Sequence, residues 1–314
     1  MSNHLVLITG ATGFVGQRLV RRLCADGREQ VRLLVRDERK ARVFADLPVQ
    51  ISIGDLGDRD HVLAAAEGAR IIYHLGGAKD GPWDTHDRGT VRGTAHVVEA
   101  ALRQPGVHLV HVSSIAVYGI PDHSPSALTE DTPYTDEPVT CYARAKIAAE
   151  QIVRRAVAAQ GLSATILRPG IIYGPETTSV SRLGLRVGRM FFLVGLRDTV
   201  LPLVEVDDVV EALLLAGRSG NGRGGIYHVV DHRLTKTGYL RRLNARSRTR
   251  YAYCFVPYAI AAAAGWTARW LRGCHRALAG LGETLSPLYL RSCVTDTTYD
   301  TTRITRDLGW TPSA

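Results

Sequence analysis

The feature that most constrains the fold is an alternation that starts at the N-terminus. The run LVLIT (5–9) is followed by the glycine-rich GATGFVG and then by QRLVRRL, so a strand pattern, a turn and a helix pattern come in succession. The alternation continues. VRLLV (31–35), VQISIG (49–54), IIYHL (71–75), HLVHVSS (108–114) and SATILRP (163–169) are short apolar runs, with helical patterns between them at 13–26, 61–67, 91–103 and 140–160. Near-continuous apolar strands separated by helices are buried on both faces, which requires a parallel sheet with helices on each side. The expected class is α/β, a doubly wound parallel sheet.

After Pro169 the alternation stops. A Gly- and Arg-rich stretch (174–200) leads to LPLVEVDDVVEALLLAG, which reads as a strand and an amphipathic helix, and then to the strand pattern GIYHVVD (225–231). From 232 onward the chain reads as helical and rich in aromatic residues. The expected organisation is a nucleotide-binding domain of residues 1–168, to which 203–231 return. A smaller, mostly helical substrate-binding region is then made of 169–202 and 232–314, with no flexible tether.

Composition removes several classes. At 314 residues and 45% hydrophobic the chain can build a large core without staples. Its five cysteines, Cys24, Cys141, Cys254, Cys274 and Cys293, are scattered with no zinc spacing, and read as mostly buried free thiols in a reducing compartment. No metal site is expected. MSNHLVLITG lacks a basic segment followed by a long apolar one, so a cytoplasmic location is expected. CFVPYAIAAAAGWTARWL (254–271) is interrupted by Pro257, Gly265 and Arg269 and falls short of a membrane span. It reads as a buried or pocket-lining helix, with interfacial membrane contact the lesser alternative. The net charge of +9, densest in RRLNARSRTR (241–250), comes without any nucleic-acid-binding signature. A solvated basic face or an anionic small molecule is expected instead of nucleic acid.

Gly10, Gly13 and Gly16 follow the first strand directly and open a helix. Glycines there permit a tight turn and close backbone approach, while the helix N-terminus offers free N–H groups to a pyrophosphate. This context points to a bound dinucleotide. At the end of the second strand an acid bonds a ribose 2′-hydroxyl, whereas an Arg accommodates a 2′-phosphate. Here Arg36 precedes Asp37, which favours NADP and leaves NAD open. In GDLGD, Asp55 and Leu56 stand where a carboxylate meets the adenine amino group and an apolar side chain covers the ring.

One further pair carries chemistry. VTCYARAKIAAEQ (139–151) sets Tyr142 and Lys146 four residues apart on one face of a helix, close enough for an ammonium to act on a phenol.

Taken together, TGATGFVG, GDLGD, IIYHLGGAK, VRGTAHVVEAA, HVSSIAVYG, CYARAK, LRPGIIYGP, VEVDDVV, GIYHVVD and DLGWTP resemble the extended short-chain dehydrogenase/reductase superfamily over almost the whole chain. GFVGQRLVRRL and the tail TTYDTTRITRDLGW lean toward its 3β-hydroxysteroid dehydrogenase-like branch, with epimerases and dehydratases as relatives. The resemblance implies a Rossmann fold and a catalytic set of Ser114, Tyr142 and Lys146, with Ser113 the weaker substitute for Ser114. It also implies cofactor contacts from Gly10, Thr12, Gly13, Phe14, Val15 and Gly16, from Arg36, Asp55 and Leu56, and from Leu75, Gly76 and Gly77 after the fourth strand. Tyr142 and Lys146 themselves and Pro169, Gly170 and Ile171 complete that set. In such a site an adjacent ammonium and the nicotinamide favour the phenolate of Tyr142, and Lys146 bonds the nicotinamide ribose. Two positions depart from the family pattern, Thr90 where Asn is usual and Glu205 where His is usual.

The function expected is an NADP(H)-dependent reductase or dehydrogenase acting on a ketone or secondary alcohol of a fairly hydrophobic, steroid-like, β-keto acyl or polyketide-like substrate. Tyr251, Tyr253, Phe255, Tyr258, Trp266 and Trp270 are candidate lining for it. The alternatives are a nucleotide-sugar epimerase or dehydratase holding NAD, served by arginines of 181–190 or 241–250, and a non-catalytic nucleotide-binding regulator. Relatives often dimerise through the helices that include the Tyr142–Lys146 element, which leaves a homodimer open.

Overall fold

The computed structural model describes residues 4–120, 127–218, 225–270 and 285–313. Cys274 lies outside them. The first half alternates strictly: β1 (Leu5–Thr9), α1 (Phe14–Asp26), β2 (Gln30–Val35), α2 (Glu38–Ala41), β3 (Val49–Ile53), α3 (Arg59–Ala66) and β4 (Ala69–His74). It continues with α4 (Trp83–His86), a π-helical stretch (Asp87–Arg92), α5 (Gly93–Leu102), β5 (His108–Val112), α6 (Cys141–Gln160) and β6 (Ala164–Pro169). Past Pro169 come β7 (Ile171–Tyr173), β8 (Leu185–Val187), β9 (Met190–Val194), β10 (Leu203–Glu205), α7 (Val206–Arg218) and β11 (Ile226–Val229). Then follow α8 (Lys236–Arg246), β12 (Ala252–Val256), α9 (Tyr258–Trp270) and two further helices, Pro287–Val294 and Thr302–Leu308.

Seven strands form one parallel sheet in the order β11-β6-β5-β4-β1-β2-β3. The order reverses between β1 and β4, and the crevice beyond the carboxyl ends of those two strands is where an open α/β sheet binds ligands. Successive residues of β1 enter opposite layers, as a two-residue period requires. Val6 and Ile8 pack with Leu19 and Leu23 of α1 and Leu213 of α7, whereas Leu7 packs with Val62 of α3, Val97 of α5 and Val153 of α6. The chain end closes the first layer, with Trp310 buried and its Nε1 donating to the Asp208 carbonyl at 2.9 Å.

The region after Pro169 contains more strand than its composition indicates. β7 and β10 form a parallel pair, and β8, β9 and β12 a second small sheet. The β8–β9 hairpin falls in the Gly- and Arg-rich stretch and β12 in the stretch read as helical, because a strand this short shows no periodicity that separates it from a loop.

Two expectations from sequence are corrected. Of the four described cysteines only Cys293 is buried; Cys24 and Cys141 are half-buried and Cys254 is exposed on an edge strand. The segment read as a buried helix is strand β12 followed by α9, and α9 turns bulky side chains outward: Trp266 is 63% and Trp270 76% exposed. Alanine content made it look like core, but the alanines face both ways.

A buried ion pair ties the site-bearing elements together. Glu150 of α6 and Arg168 of β6 are both fully buried, with Arg168 Nη2 2.5 Å from Glu150 Oε1. Glu150 also accepts from Ser113, the residue after β5, at 2.5 Å and from Tyr134 at 3.0 Å. Arg168 donates to the Glu130 carbonyl at 2.9 Å and to the Tyr118 hydroxyl, which in turn meets His228 of β11 at 2.6 Å. Removing one partner of such a pair strands a charge in a dry interior. Arg168→Met is therefore expected to cost about 3–5 kcal/mol, read by chemical denaturation; a loss below about 1 kcal/mol would show that the pair is solvated.

Candidate active site

The turn between β1 and α1 is shaped by close backbone approach. Gly10 has φ +73°, and a Cβ there would come within 2.7 Å of the Gly76 amide nitrogen. At Gly16 a Cβ would meet the Gly10 carbonyl oxygen at 2.3 Å, so the helix start packs directly on the turn. Gly13 caps α1 with no side-chain hydrogen bond, which leaves the first amides of the helix, from Phe14 onward, open to an anion. Thr12 accepts on its carbonyl from Gln17 at 3.0 Å, Phe14 is partly exposed beneath Arg18, and Val15 packs into the core. The glycine cradle and the uncapped helix end fit a dinucleotide pyrophosphate.

Other expected cofactor positions lie at or just beyond the carboxyl ends of β2, β3, β4 and β6. Leu75 N donates to the Thr9 carbonyl at 3.2 Å and Gly76 N to Thr9 Oγ1 at 3.2 Å, which fixes the turn after β4 against the turn after β1. Leu56 lies over Gly76, where a Cβ would be 2.4 Å from its Cδ1, and Gly77 is exposed beside Thr90. Asp55 accepts from Gly57 N at 2.7 Å, so one carboxylate oxygen already holds its own turn. At the end of β2, Arg36 is exposed, while Asp37 caps α2 by accepting from Arg39 N at 2.9 Å. Pro169, Gly170 and Ile171 are held between β11 and β10: Gly170 N donates to Val229 at 3.0 Å and Ile171 N to Pro202 at 2.7 Å.

The three residues expected to be catalytic meet beyond β5 and at the start of α6. Thr140 caps α6, accepting from Ala143 N at 3.1 Å, and this sets Tyr142 and Lys146 on the first two turns. Ser114 follows β5, with its hydroxyl beside the Tyr142 phenol and drawing the phenol's pKa down. Its Oγ also accepts from Ala116 N at 3.1 Å, which leaves its proton to donate. Ser113 is buried and committed to Glu150, so the geometry favours Ser114 of the two.

Lys146 is buried, its Nζ 2.8 Å from the Val112 carbonyl and 5.8 Å from the Tyr142 ring centre. Burial pulls its pKa down to about 8, against the opposing attraction of Glu150 one turn on. Burial raises the Tyr142 pKa above its ordinary value, with Ser114 opposing it. The Lys146 ammonium donates to a backbone carbonyl.

Three histidines and a threonine join this site without having been singled out by motif. His74, at the end of β4, bridges Thr9 Oγ1 at 2.7 Å and Thr94 Oγ1 at 3.0 Å, and Thr94 bonds the Thr90 carbonyl. Thr90 Oγ1 accepts from Ala78 N at 2.9 Å, so the residue replacing the usual Asn holds the turn beside Gly77. His111 lies 5.4 Å from His74 ring to ring, and burial keeps both neutral well below the ordinary histidine pKa. His86 of α4 is buried with its ring edge on Tyr142, 6.4 Å between centres. His74 ends β4 and pairs in register with His111, the penultimate residue of β5, and the histidine near the end of each apolar run was the available signal.

Glu205, where the family has His, accepts from Arg246 at 3.0 Å and lies 3.6 Å from Arg242. An open depression on the outer face of α6, lined by Pro133, Tyr134, Arg144, Ile147 and Gln151 among others, includes none of the three catalytic candidates.

Comparison with known proteins agrees with this geometry. Residues 6–229 match the model of the NAD dependent epimerase/dehydratase family. The chain is 34% identical over 260 residues to sterol demethylase protein B of Methylococcus capsulatus, covering 78% of this chain and 76% of that one. It is 31% identical over 231 residues to 4-hydroxy-2-methyl-3-oxo-4-farnesyl-3,4-dihydroquinoline-1-oxide ketoreductase of Stigmatella aurantiaca, covering 71% and 67%. The crystal structure of gox2253 superposes with a TM-score of 0.74 at 26% identity, over 99% of this chain and 94% of that one. The chain belongs to the NAD-dependent epimerase/dehydratase family. Within it, the protein is an NAD(P)-dependent oxidoreductase of the extended short-chain dehydrogenase/reductase type.

Gly10→Ala would force a methyl group into the Gly76 backbone at a positive φ. Dinucleotide affinity is expected to fall by about tenfold or more, measured by quenching of protein fluorescence, while far-ultraviolet circular dichroism stays unchanged.

Proposed function

We infer that the protein is an NADP(H)-dependent ketone reductase whose substrate is fairly hydrophobic, with Ser114, Tyr142 and Lys146 as its catalytic residues. The observation that carries this reading is a phenol beside a serine hydroxyl and one helical turn from a buried lysine, next to a glycine cradle that fits a dinucleotide pyrophosphate. When bound, the reduced nicotinamide supplies the hydride. Tyr142 is placed to hold the proton that the carbonyl oxygen takes up. Ser114 orients the carbonyl by donating to its oxygen and stabilises the charge that gathers there. Lys146 in its ammonium form stabilises the phenolate left after proton transfer and bonds the nicotinamide ribose. Residues 1–168 with 203–231 form the cofactor side of the reading, and 169–202 with 232–314 the substrate side.

The choice of NADP rests on Arg36, exposed at the end of β2, and on Asp37 being engaged as the α2 cap. The hydrophobic substrate is supported by the names of relatives that act on a sterol and on a farnesylated ketone. Of the arginines that a nucleotide-sugar reading would use for a diphosphate, Arg242 and Arg246 are engaged with Glu205, while Arg186, Arg189, Arg248 and Arg250 are exposed, so the preference for a hydrophobic substrate rests on the relatives.

Tyr142→Phe is expected to lower kcat for ketone reduction by about 10²–10⁴-fold with cofactor affinity retained; unchanged turnover would point to a regulator. Arg36→Ala is expected to weaken NADPH by about tenfold or more, because a charge-assisted bond contributes about 1.5–3 kcal/mol, and to leave NADH unaffected. A wild-type preference for NADH contradicts the assignment. The reduction rate is expected to fall as pH rises through about 8, since Lys146 then loses the charge that stabilises the phenolate. Lys146→Met should be slow throughout and lack that descending limb in its kcat/KM profile.

A further inference from the structure

Helix α9 is inverted relative to a helix that faces water. Its inward positions, Ala261, Gly265 and Ala268, are small and buried, and a Cβ at Gly265 would come within 2.4 Å of the Leu285 carbonyl oxygen. Its outward positions carry the bulk: Tyr258 is 40%, Ile260 60%, Trp266 63% and Trp270 76% exposed. Trp266 and Trp270 are four residues apart and share a face with Ala259 and Ala263. None of these outward side chains is charged, whereas a solvated helix turns its charges out and its large apolar groups in.

The surface extends beyond the helix. Gly195 N donates to the Val256 carbonyl at 2.8 Å, which places Leu196, 78% exposed, and the exposed Arg197 beside the start of α9. Tyr253 of β12 is 41% exposed. At the hairpin end of the same small sheet stand Arg186, Arg189, Arg248 and Arg250, all exposed and none ion-paired with a described acidic residue; Arg189 bonds the Arg250 carbonyl instead.

We propose that this face docks the protein onto the surface of an anionic lipid bilayer, with Trp266, Trp270 and Ile260 entering the boundary between headgroups and acyl chains. Exposed tryptophan and tyrosine suit that boundary, where an amphipathic ring has one end dry and the other wet. Charge selects among occupants. A second copy of the chain would bring a net charge of +9 against +9, whereas anionic headgroups attract both the arginine cluster and the whole molecule. No described helix is long and apolar enough to cross a membrane, so the contact is peripheral. The inference stands on the surface alone and not on the catalytic reading above.

The test uses the full chain and phosphatidylcholine vesicles with or without phosphatidylglycerol. The protein is expected to sediment with the anionic vesicles, less so as salt rises. Its tryptophan emission should shift to the blue and be quenched by lipids brominated on their acyl chains. Of the other two tryptophans Trp310 is buried and Trp83 is half-buried beneath Arg144, so the quenching lost in a Trp266→Ser, Trp270→Ser variant is what reports on α9. The double variant Trp266→Ser, Trp270→Ser should lose about tenfold or more of its vesicle affinity while keeping the thermal midpoint. Should that variant fail to fold, quenching of the wild type decides. The proposal is overturned if the wild type ignores anionic vesicles, or if its tryptophans are untouched by brominated chains. It is also overturned if the serine variant binds as well as wild type, or if the two tryptophans serve only to form a dimer seen by light scattering. Loss of every reductase activity with vesicle binding intact would sink the catalytic reading and leave this one standing.

Discussion

The site depends on one carboxylate. Glu150 is fully buried two turns after Tyr142 and one after Lys146, and it accepts hydrogen bonds from Arg168 on β6 and from Ser113 at the end of β5. Three elements from distant parts of the chain are therefore locked at the place where Ser114 must face Tyr142. A buried ion pair adds little net stability compared with apolar residues of the same volume, but breaking it is costly. Its consequence here is registration: α6 cannot slide along the sheet without leaving a charge unpaired. The same carboxylate pulls up the pKa of Lys146, which burial pulls down, and the balance falls near neutral pH.

The cofactor end rests on a different constraint, the absence of side chains. Gly10, Gly16 and Gly76 bring the turns after β1 and β4 into backbone contact, and every added carbon would strike a main-chain or packed atom. His74 then fastens the two turns from below through Thr9, and through Thr94 reaches the segment that contains Thr90. With Asn absent at position 90, a threonine hydroxyl carries the bond to Ala78 N. The departure from the family pattern thus leaves the turn beside Gly77 intact.

Much of this was legible in the sequence because it follows from periodicity. The strands of the main sheet match the apolar runs identified to within two residues at each end, since, the exposed edge strand β3 apart, parallel strands buried on both faces cannot hide their composition. Ser114, Tyr142 and Lys146 were legible from motif order, and the structure brings them together. What escaped was set by tertiary contact. The hairpin of β8 and β9 and the strand β12 are short and sit among glycines and arginines, where local pattern carries little information. The direction of the Lys146 ammonium, toward the Val112 carbonyl, is also set by tertiary contact, and a spacing of four residues does not fix it. Helix α9 was misread because its small residues, not its large ones, face the protein.

The most direct measurement is a crystal structure of the complex with oxidised NADP. The expected result has the pyrophosphate on the N-terminus of α1, the 2′-phosphate against Arg36, and nicotinamide C4 facing the Tyr142 hydroxyl across a gap of about 4–6 Å, room for a carbonyl held at near-attack distance from each. A nicotinamide ring turned away from Ser114 and Tyr142, or a phenol sealed from it by the protein, would contradict the account.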